Sequence, residues 1–328
     1  MFKRAFYCFL LVFIGALLGY AFFCLQSNDF LKIKNKPELR LQPGGSGLTN
    51  PLLDCDLGEE YISNNAIKPF KSVIDKKILE LKANGLINYA SYYFRDLNNG
   101  GWMGINEEEK FFPASLMKVP ILLYALNKAV DDPGLLNKEI KYLGNSTIYN
   151  QYIKPENPIK IGEIYTIRQL LEKMIIESDN NAASLIYEIF GKDDYQKIFS
   201  SLSLEIPTEN ESYYIDTKDY ASFFRILFNS SYLPNKFSEA ALNLLSKTKL
   251  KDGIVAGVPS DIVVAHKFGE VTLPDQKQFH DCGIVYYPKS PYLLCIMTRG
   301  NHYDNLISSI AELSRVTFGE VQSQKIKN

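Results

Sequence analysis

The sequence has few of the residues that metal and nucleic-acid chemistry need. Among 328 residues there are three histidines, His266, His280 and His302. No His-x-x-x-His or Cys-x-x-Cys pairing occurs. The usual ligand spacing for zinc is therefore missing, and neither a metal nor a cofactor is expected. Excess charge of either sign is lacking too, with 36 Lys+Arg against 37 Asp+Glu. No basic run is long enough to follow a phosphate backbone, so nucleic acid is not an expected partner. Internal repeats and low-complexity tracts are also absent.

Cysteine is sparse, at five residues. Cys8 and Cys24 fall in the N-terminal apolar stretch, and Cys55, Cys282 and Cys295 remain, an odd number. Cys282 and Cys295 lie on two apolar runs joined by Pro288-Lys289-Ser290-Pro291, so they face each other if the runs form a hairpin. Two buried thiols on core-facing strands are expected there rather than a disulfide.

A single apolar run is long enough to matter for a membrane. Ala5 to Leu25 carries no charge and follows Lys3 and Arg4. Its length suits a bilayer span. The end of the stretch, Ala21-Phe22-Phe23-Cys24-Leu25, lacks small residues at both positions that a signal peptidase reads. Residues 1–4 then read as a cytoplasmic tip and 5–25 as an uncleaved signal-anchor, with a cleaved signal peptide as the alternative. Residues 26–67 read as a linker and pre-domain segment; as far as Asn50 they are polar, carry Pro43-Gly44-Gly45-Ser46-Gly47 and read as a flexible tether. Residues 68–328 read as one extracytoplasmic domain, and 46% hydrophobic content is ample for its core.

Within that domain, helical spacing covers about Lys68–Asn84, Val119–Val130, Thr166–Ile176, Asn181–Phe190, Thr217–Phe228, Phe237–Leu245 and Asn305–Phe318. Strand-like runs occupy Ile87–Leu97, Trp102–Ile105, Ile262–Ala265, Cys282–Tyr287 and Tyr292–Thr298. Asn98-Asn99-Gly100-Gly101 marks a hairpin between the first two. Strands from both ends thus flank a helical middle. The expected fold is α/β of the α+β kind: one antiparallel sheet flanked by helices, with an inserted all-helical lobe and a cleft between the two.

Three short motifs stand in order on this frame. Ser115-Leu116-Met117-Lys118 opens a helix, so the Lys118 amine shares a face with the Ser115 hydroxyl. A serine is a weak nucleophile until a base takes its proton, and a desolvated lysine can be that base. Ser178-Asp179-Asn180 interrupts two amphipathic helices, with a hydroxyl suited to passing protons, an amide suited to a ligand, and Asp179 as a helix cap. Lys267-Phe268-Gly269 ends an apolar run; its lysine can hold an anion and Gly269 lets backbone approach a substrate. Ser-x-x-Lys recurs as Ser246-Lys247-Thr248-Lys249, so context rather than pattern selects the first copy.

Together the motifs resemble the serine β-lactamase and penicillin-binding protein superfamily, and class A β-lactamases most closely. Phe112-Pro113-Ala114 before Ser115, the helix pair around Ser178, and Ile215-Asp216-Thr217 extend the resemblance from about Ile87 to the C-terminus. It implies a β-lactamase/transpeptidase-like fold and a serine hydrolase forming an acyl-enzyme at Ser115 with β-lactams or D-alanyl peptides. It further implies Lys118 as base, Ser178 as proton shuttle, Asn180 and Lys267 as substrate-binding groups, and the N–H groups of Ser115 and Glu270 as an oxyanion hole. Two departures accompany it. Phe268 stands where the family has Ser or Thr, and Glu270 would repel an anion, with His266 or His280 as a compensating donor or a structural residue. The Glu-x-x-Leu-Asn stretch that supplies the deacylating base has no counterpart in Leu202–Tyr214, where Glu205, Glu209 and Glu211 read as surface residues. A D,D-carboxypeptidase or transpeptidase, or a non-hydrolytic domain binding β-lactam or cell-wall peptide, stays open beside the hydrolase.

Overall fold

The structure, a computed structural model, describes residues 47–50, 70–144, 151–204 and 214–326, with backbone alone for 192–196 and 326. The apolar stretch 5–25, most of the linker, Cys8, Cys24, Cys55, Glu205, Glu209 and Glu211 lie outside the described residues. Among the described residues, no helix is long and apolar enough to cross a membrane.

The first long element is α1 (Lys71–Ala83), which buries Ile74, Ile78 and Leu81 at helical spacing. Strand β1 (Tyr89–Asp96) follows and is buried at every position after the first. Its aromatic run, Tyr92-Tyr93-Phe94, is explained by that double burial. Tyr92 and Phe94 face one apolar cluster and Tyr93 another. Burying each large apolar side chain contributes about 2–3 kcal/mol. The Asn-Gly turn leads into β2 (Trp102–Ile105), paired antiparallel with β1.

Short β3 (Lys110–Phe111) enters a 3₁₀ turn, Ala114–Met117, which runs directly into α2 (Lys118–Asp131). The two-stranded ribbon of β4 (Glu139–Lys141) and β5 (Ile164–Thr166) precedes α3 (Ile167–Ile176). Thr166 and Gln169 form a reciprocal capping box that starts α3. The lobe continues through α4 (Asn180–Phe190), α5 (Lys192–Ser201), β6 (Ile215–Asp216, paired with β3), α6 (Thr217–Phe228) and α7 (Asn235–Ser246). Helix α5 has no counterpart in the sequence reading, because its sequence offers too few apolar residues for a visible stripe.

The chain then returns to the sheet as β7 (Val264–Thr272), β8 (Lys277–Val285) and β9 (Tyr292–Gly300), and ends in α8 (Tyr303–Ile326). The strand order is β2-β1-β9-β8-β7, so β7 is an edge. Each neighbouring pair is antiparallel. One face of the sheet packs on α1 and α8, and the other on the helical lobe.

Two expectations need correction. Cys282 and Cys295 are disulfide-bonded rather than free thiols. They sit directly opposite on β8 and β9 with Cα atoms 4.0 Å apart, the close kind of cross-strand pair. The end of the tether is docked rather than flexible: Glu239 on α7 accepts the N–H groups of Leu48 (2.8 Å) and Thr49 (3.1 Å). Asn50 N–H donates to Phe228 O and the Tyr286 hydroxyl to Leu48 O.

Candidate active site

Ser115 sits in the 3₁₀ turn rather than in an α-helical first turn. The difference favours the chemistry, because residues three apart eclipse in a 3₁₀ turn, which puts Ser115 and Lys118 on one side. Ala114 just before it has φ 49°, a left-handed conformation that costs a non-glycine residue energy and is held by its surroundings.

Those surroundings come from far along the chain. Phe112 N–H donates to Gln278 Oε1 at 3.1 Å, and its carbonyl lies 3.1 Å from His280 Nε2. The Tyr220 hydroxyl donates to Leu116 O at 2.9 Å. Gly269 on β7 meets the turn itself. A Cβ added there would lie 2.7 Å from Pro113 O and 3.1 Å from Leu116 N. Only glycine permits strand and turn to approach so closely.

Lys118 is buried and its Nζ donates to Ser178 O (2.6 Å), Ser178 Oγ (3.2 Å) and Asn180 Oδ1 (2.7 Å). Burial pushes its pKa down to about 7, partly offset by the negative charges of Asp179 and Glu270. The neutral amine that a general base requires is therefore accessible near neutral pH.

Ser178 is fully buried and, like Ala114, has positive φ, 55°. It forms the joint between α3 and α4. Asp179 caps α4, accepting from Asn181 N–H and Ala182 N–H with one oxygen and from Ile159 N–H with the other. A second cation reaches Ser178 Oγ from β7: Lys267 Nζ at 2.9 Å. Lys267 also donates to Phe268 O (2.9 Å) and lies 3.9 Å from the centre of the Phe268 ring. Burial, then the nearby Lys118 charge, drive its pKa well down.

The structure thus links Lys118, Ser178, Asn180 and Lys267 through hydrogen bonds and packs Gly269, followed on β7 by Glu270, against the turn that carries Ser115. Lys267-Phe268-Gly269 lies inside β7, not at its end. Phe268 belongs to the apolar cluster under α8 and stacks near Phe279, so no hydroxyl replaces the missing one. Neither histidine supplies a substrate donor. His266 Nδ1 pairs with Asp281 Oδ1 at 2.8 Å, both buried, and His280 braces Phe112. Burial lowers the His280 pKa to about 3, which keeps its ring neutral. The second Ser-x-x-Lys copy ends α7, where Ser246 Oγ donates to Asn243 O. Sequence alone names His280 only as a compensating donor or a structural residue, and Gln151, Tyr220 and Gln278 carry no motif or apolar run that marks them. Among the described residues, no group of three or more His, Cys, Asp or Glu gathers in a way that could hold a metal ion.

A family model described as "Beta-lactamase enzyme family" matches residues 73–321. The chain belongs to the beta-lactamase enzyme family. Solved members share its fold at low identity. A beta-lactamase from Chitinophaga pinensis DSM 2588 is 20% identical, with 76% of this chain and 99% of that one covered and a TM-score of 0.66. A class A beta-lactamase representative from Bacteroides cellulosilyticus DSM 14838 is 19% identical over 77% and 98%, at 0.66. A variant of PBP-A, solved as an acyl-enzyme complex with penicillin G, is 20% identical over 78% and 98%, at 0.65. Among curated proteins, the ABC transporter CDR4 of Candida albicans is 28% identical over 81 residues, 25% of this chain. This chain spans 5% of that transporter's length, and the match carries no functional argument.

Proposed function

We propose that this family member is a serine acyl-transfer enzyme that forms an acyl-enzyme at Ser115 with β-lactams or D-alanyl peptides. One observation carries the reading: a buried lysine amine, poised near neutrality, lies one 3₁₀ turn from the serine and in hydrogen-bond contact with a second hydroxyl. The neutral Lys118 amine takes the Ser115 proton as Oγ attacks the carbonyl carbon. The N–H groups of Ser115 and Glu270 receive the developing oxyanion. Ser178 Oγ, held between Lys118 and Lys267, delivers a proton to the departing nitrogen, and Lys118 restores it. Water then hydrolyses the ester.

A D,D-peptidase, or a domain that stays acylated, is the second reading. The absence of Glu-x-x-Leu-Asn between Leu202 and Tyr214 favours it, as does the likeness to a protein captured as a penicillin acyl-enzyme. The domain lies outside the cytoplasm behind an uncleaved anchor at residues 5–25, a reading that rests on the apolar sequence alone.

Intact-mass spectrometry after brief penicillin exposure tests all of this. A Ser115-dependent adduct that decays within minutes supports hydrolysis, and one that persists supports the peptidase or binding reading. No adduct at millimolar penicillin refutes acyl transfer. Membrane fractionation with protease protection tests the anchor, and a soluble full-length chain refutes it.

A further inference from the structure

Lys118 has two tasks that conflict. Its amine has to be held in place, and it has to be uncharged to take a proton from Ser115. The acceptors around it favour the charge. An ammonium has three N–H groups, and Ser178 O (2.6 Å), Asn180 Oδ1 (2.7 Å) and Ser178 Oγ (3.2 Å) match them one for one. Asp179 at the start of α4 and Glu270 on β7 favour the charged form as well. Burial works against it, and so does Lys267 on β7, a second cation that shares Ser178 Oγ. The shortest of the three contacts, to Ser178 O, is the one that has a further donor.

That donor is Gln151, whose Nε2 lies 3.0 Å from Ser178 O. A carbonyl oxygen only accepts, so the amide presents its N–H there and not its own oxygen. Lys118 Nζ and Gln151 Nε2 thus share one oxygen. The positive end of the amide dipole opposes an ammonium bound to that oxygen far more than it opposes a neutral amine. Gln151 is itself fixed by the residues that follow it. Tyr152 stacks on Tyr303 with ring centres 4.6 Å apart, and its hydroxyl donates to Asp304 at 2.6 Å, both at the start of α8. Ile153 N–H donates to Glu270 Oε1 at 2.9 Å. Three consecutive residues therefore run from the joint between α3 and α4 to β7 and α8. None of the three is an acid or a base that ionises near neutral pH, so the segment brings a dipole to Lys118 and no new ion.

We propose that Gln151 is a positioning residue for acyl transfer: its amide N–H shares the Ser178 carbonyl with Lys118, so that this oxygen orients the amine without holding it as an ammonium. The inference rests on the acyl-transfer reading above and adds a residue that no motif marks. One hydrogen bond at this oxygen corresponds to about three- to tenfold in the balance between amine and ammonium.

The test compares the unsubstituted full chain with Gln151→Met, which fills similar space without a donor, and with Gln151→Glu, which replaces the donor by a negative charge. The first readout is the titration of Lys118 itself, followed by carbon-13 NMR of protein labelled at the lysine Cε, with Lys118→Met assigning the signal. The second is the pH profile of acylation by penicillin, read by intact mass. Gln151→Met is expected to raise the Lys118 midpoint by about 0.5 to 1 in pH, and to slow acylation about three- to tenfold at about pH 6 with less than about a twofold change at about pH 9. Gln151→Glu raises the midpoint further. A role confined to folding would lower the rate by one factor at every pH and leave the midpoint in place. That result, a midpoint that falls, or a Gln151→Glu midpoint below that of Gln151→Met overturns the proposal. Melting points recorded alongside show which variants are folded; if Gln151→Glu is not, Gln151→Met decides alone. Failure of the unsubstituted protein to acylate counts against acyl transfer, whereas the Lys118 titration decides the role of Gln151 separately.

Discussion

Substituting Gly269 by alanine adds one methyl group at the contact between β7 and the turn that carries Ser115. The new carbon would lie 2.7 Å from Pro113 O, 3.0 Å from Leu116 Cγ and 3.1 Å from Leu116 N. Ordinary contact begins near 3.4 Å, so the carbonyl is about 0.7 Å too close. Two of the three neighbours cannot give easily. Pro113 O belongs to a turn pinned on both sides of Phe112 by Gln278 and His280, and Leu116 is held by Tyr220. The strain therefore passes to Ser115 itself. Overpacking of this kind costs about 1–3 kcal/mol of stability, while displacing a reacting group by about 1 Å can cost about a hundredfold in rate. Gly269→Ala is expected to fold, to melt several degrees lower, and to acylate with penicillin ten- to a hundredfold more slowly. Stopped reactions read by intact mass give the rate constant, and circular dichroism gives the melting point. Acylation at the unsubstituted rate would show that the turn is not held by this strand, and the argument for glycine at 269 would fail.

Three further outcomes are expected. Acylation should fall about tenfold per pH unit below about 7 and level off above it, because protonated Lys118 cannot accept the Ser115 proton; Lys118→Met should remove both the reaction and its pH dependence, and a flat profile in the unsubstituted protein would exclude Lys118 as base. Asp179→Ala frees three backbone N–H groups and should destabilise the fold by about 1–3 kcal/mol, measured by urea titration, with no change at all refuting its capping role. Reducing the Cys282–Cys295 bond, which closes a 13-residue separation, should cost about 2–3 kcal/mol; a melting point indifferent to reductant, with both thiols alkylated beforehand, would deny the bond.

Much of this architecture was legible because apolar spacing reports burial. Helix α6 was read to its ends, and the α3 helix was bounded by Thr166, whose side chain does cap it. The reading failed where burial is polar. The apolar run that marks strand β7 ends at Ala265, because His266, Lys267 and Glu270 break the pattern. They continue the strand because His266 meets Asp281 and Lys267 meets Ser178 in the interior. The first half of β8, Lys277–Asp281, was unread for the same reason, and it carries Gln278 and His280, which brace the reacting turn. The bracing residues are therefore the ones periodicity hides. Ser115, Lys118, Ser178, Asn180 and Lys267 are candidates by motif, which depends on chemistry rather than on spacing of apolar residues, and the structure joins the last four by hydrogen bonds.

The sheet order carries a consequence for how this protein matures. Strand β1 pairs with β9, some two hundred positions downstream, and the serine's turn leans on residues 269, 278 and 280. A chain still emerging from the ribosome exposes its alcohol long before these supports exist. Covalent capture by a penicillin would then report that synthesis has run past β9 and the ends have met, making the reagent a clock for completed assembly in a slow, non-local topology.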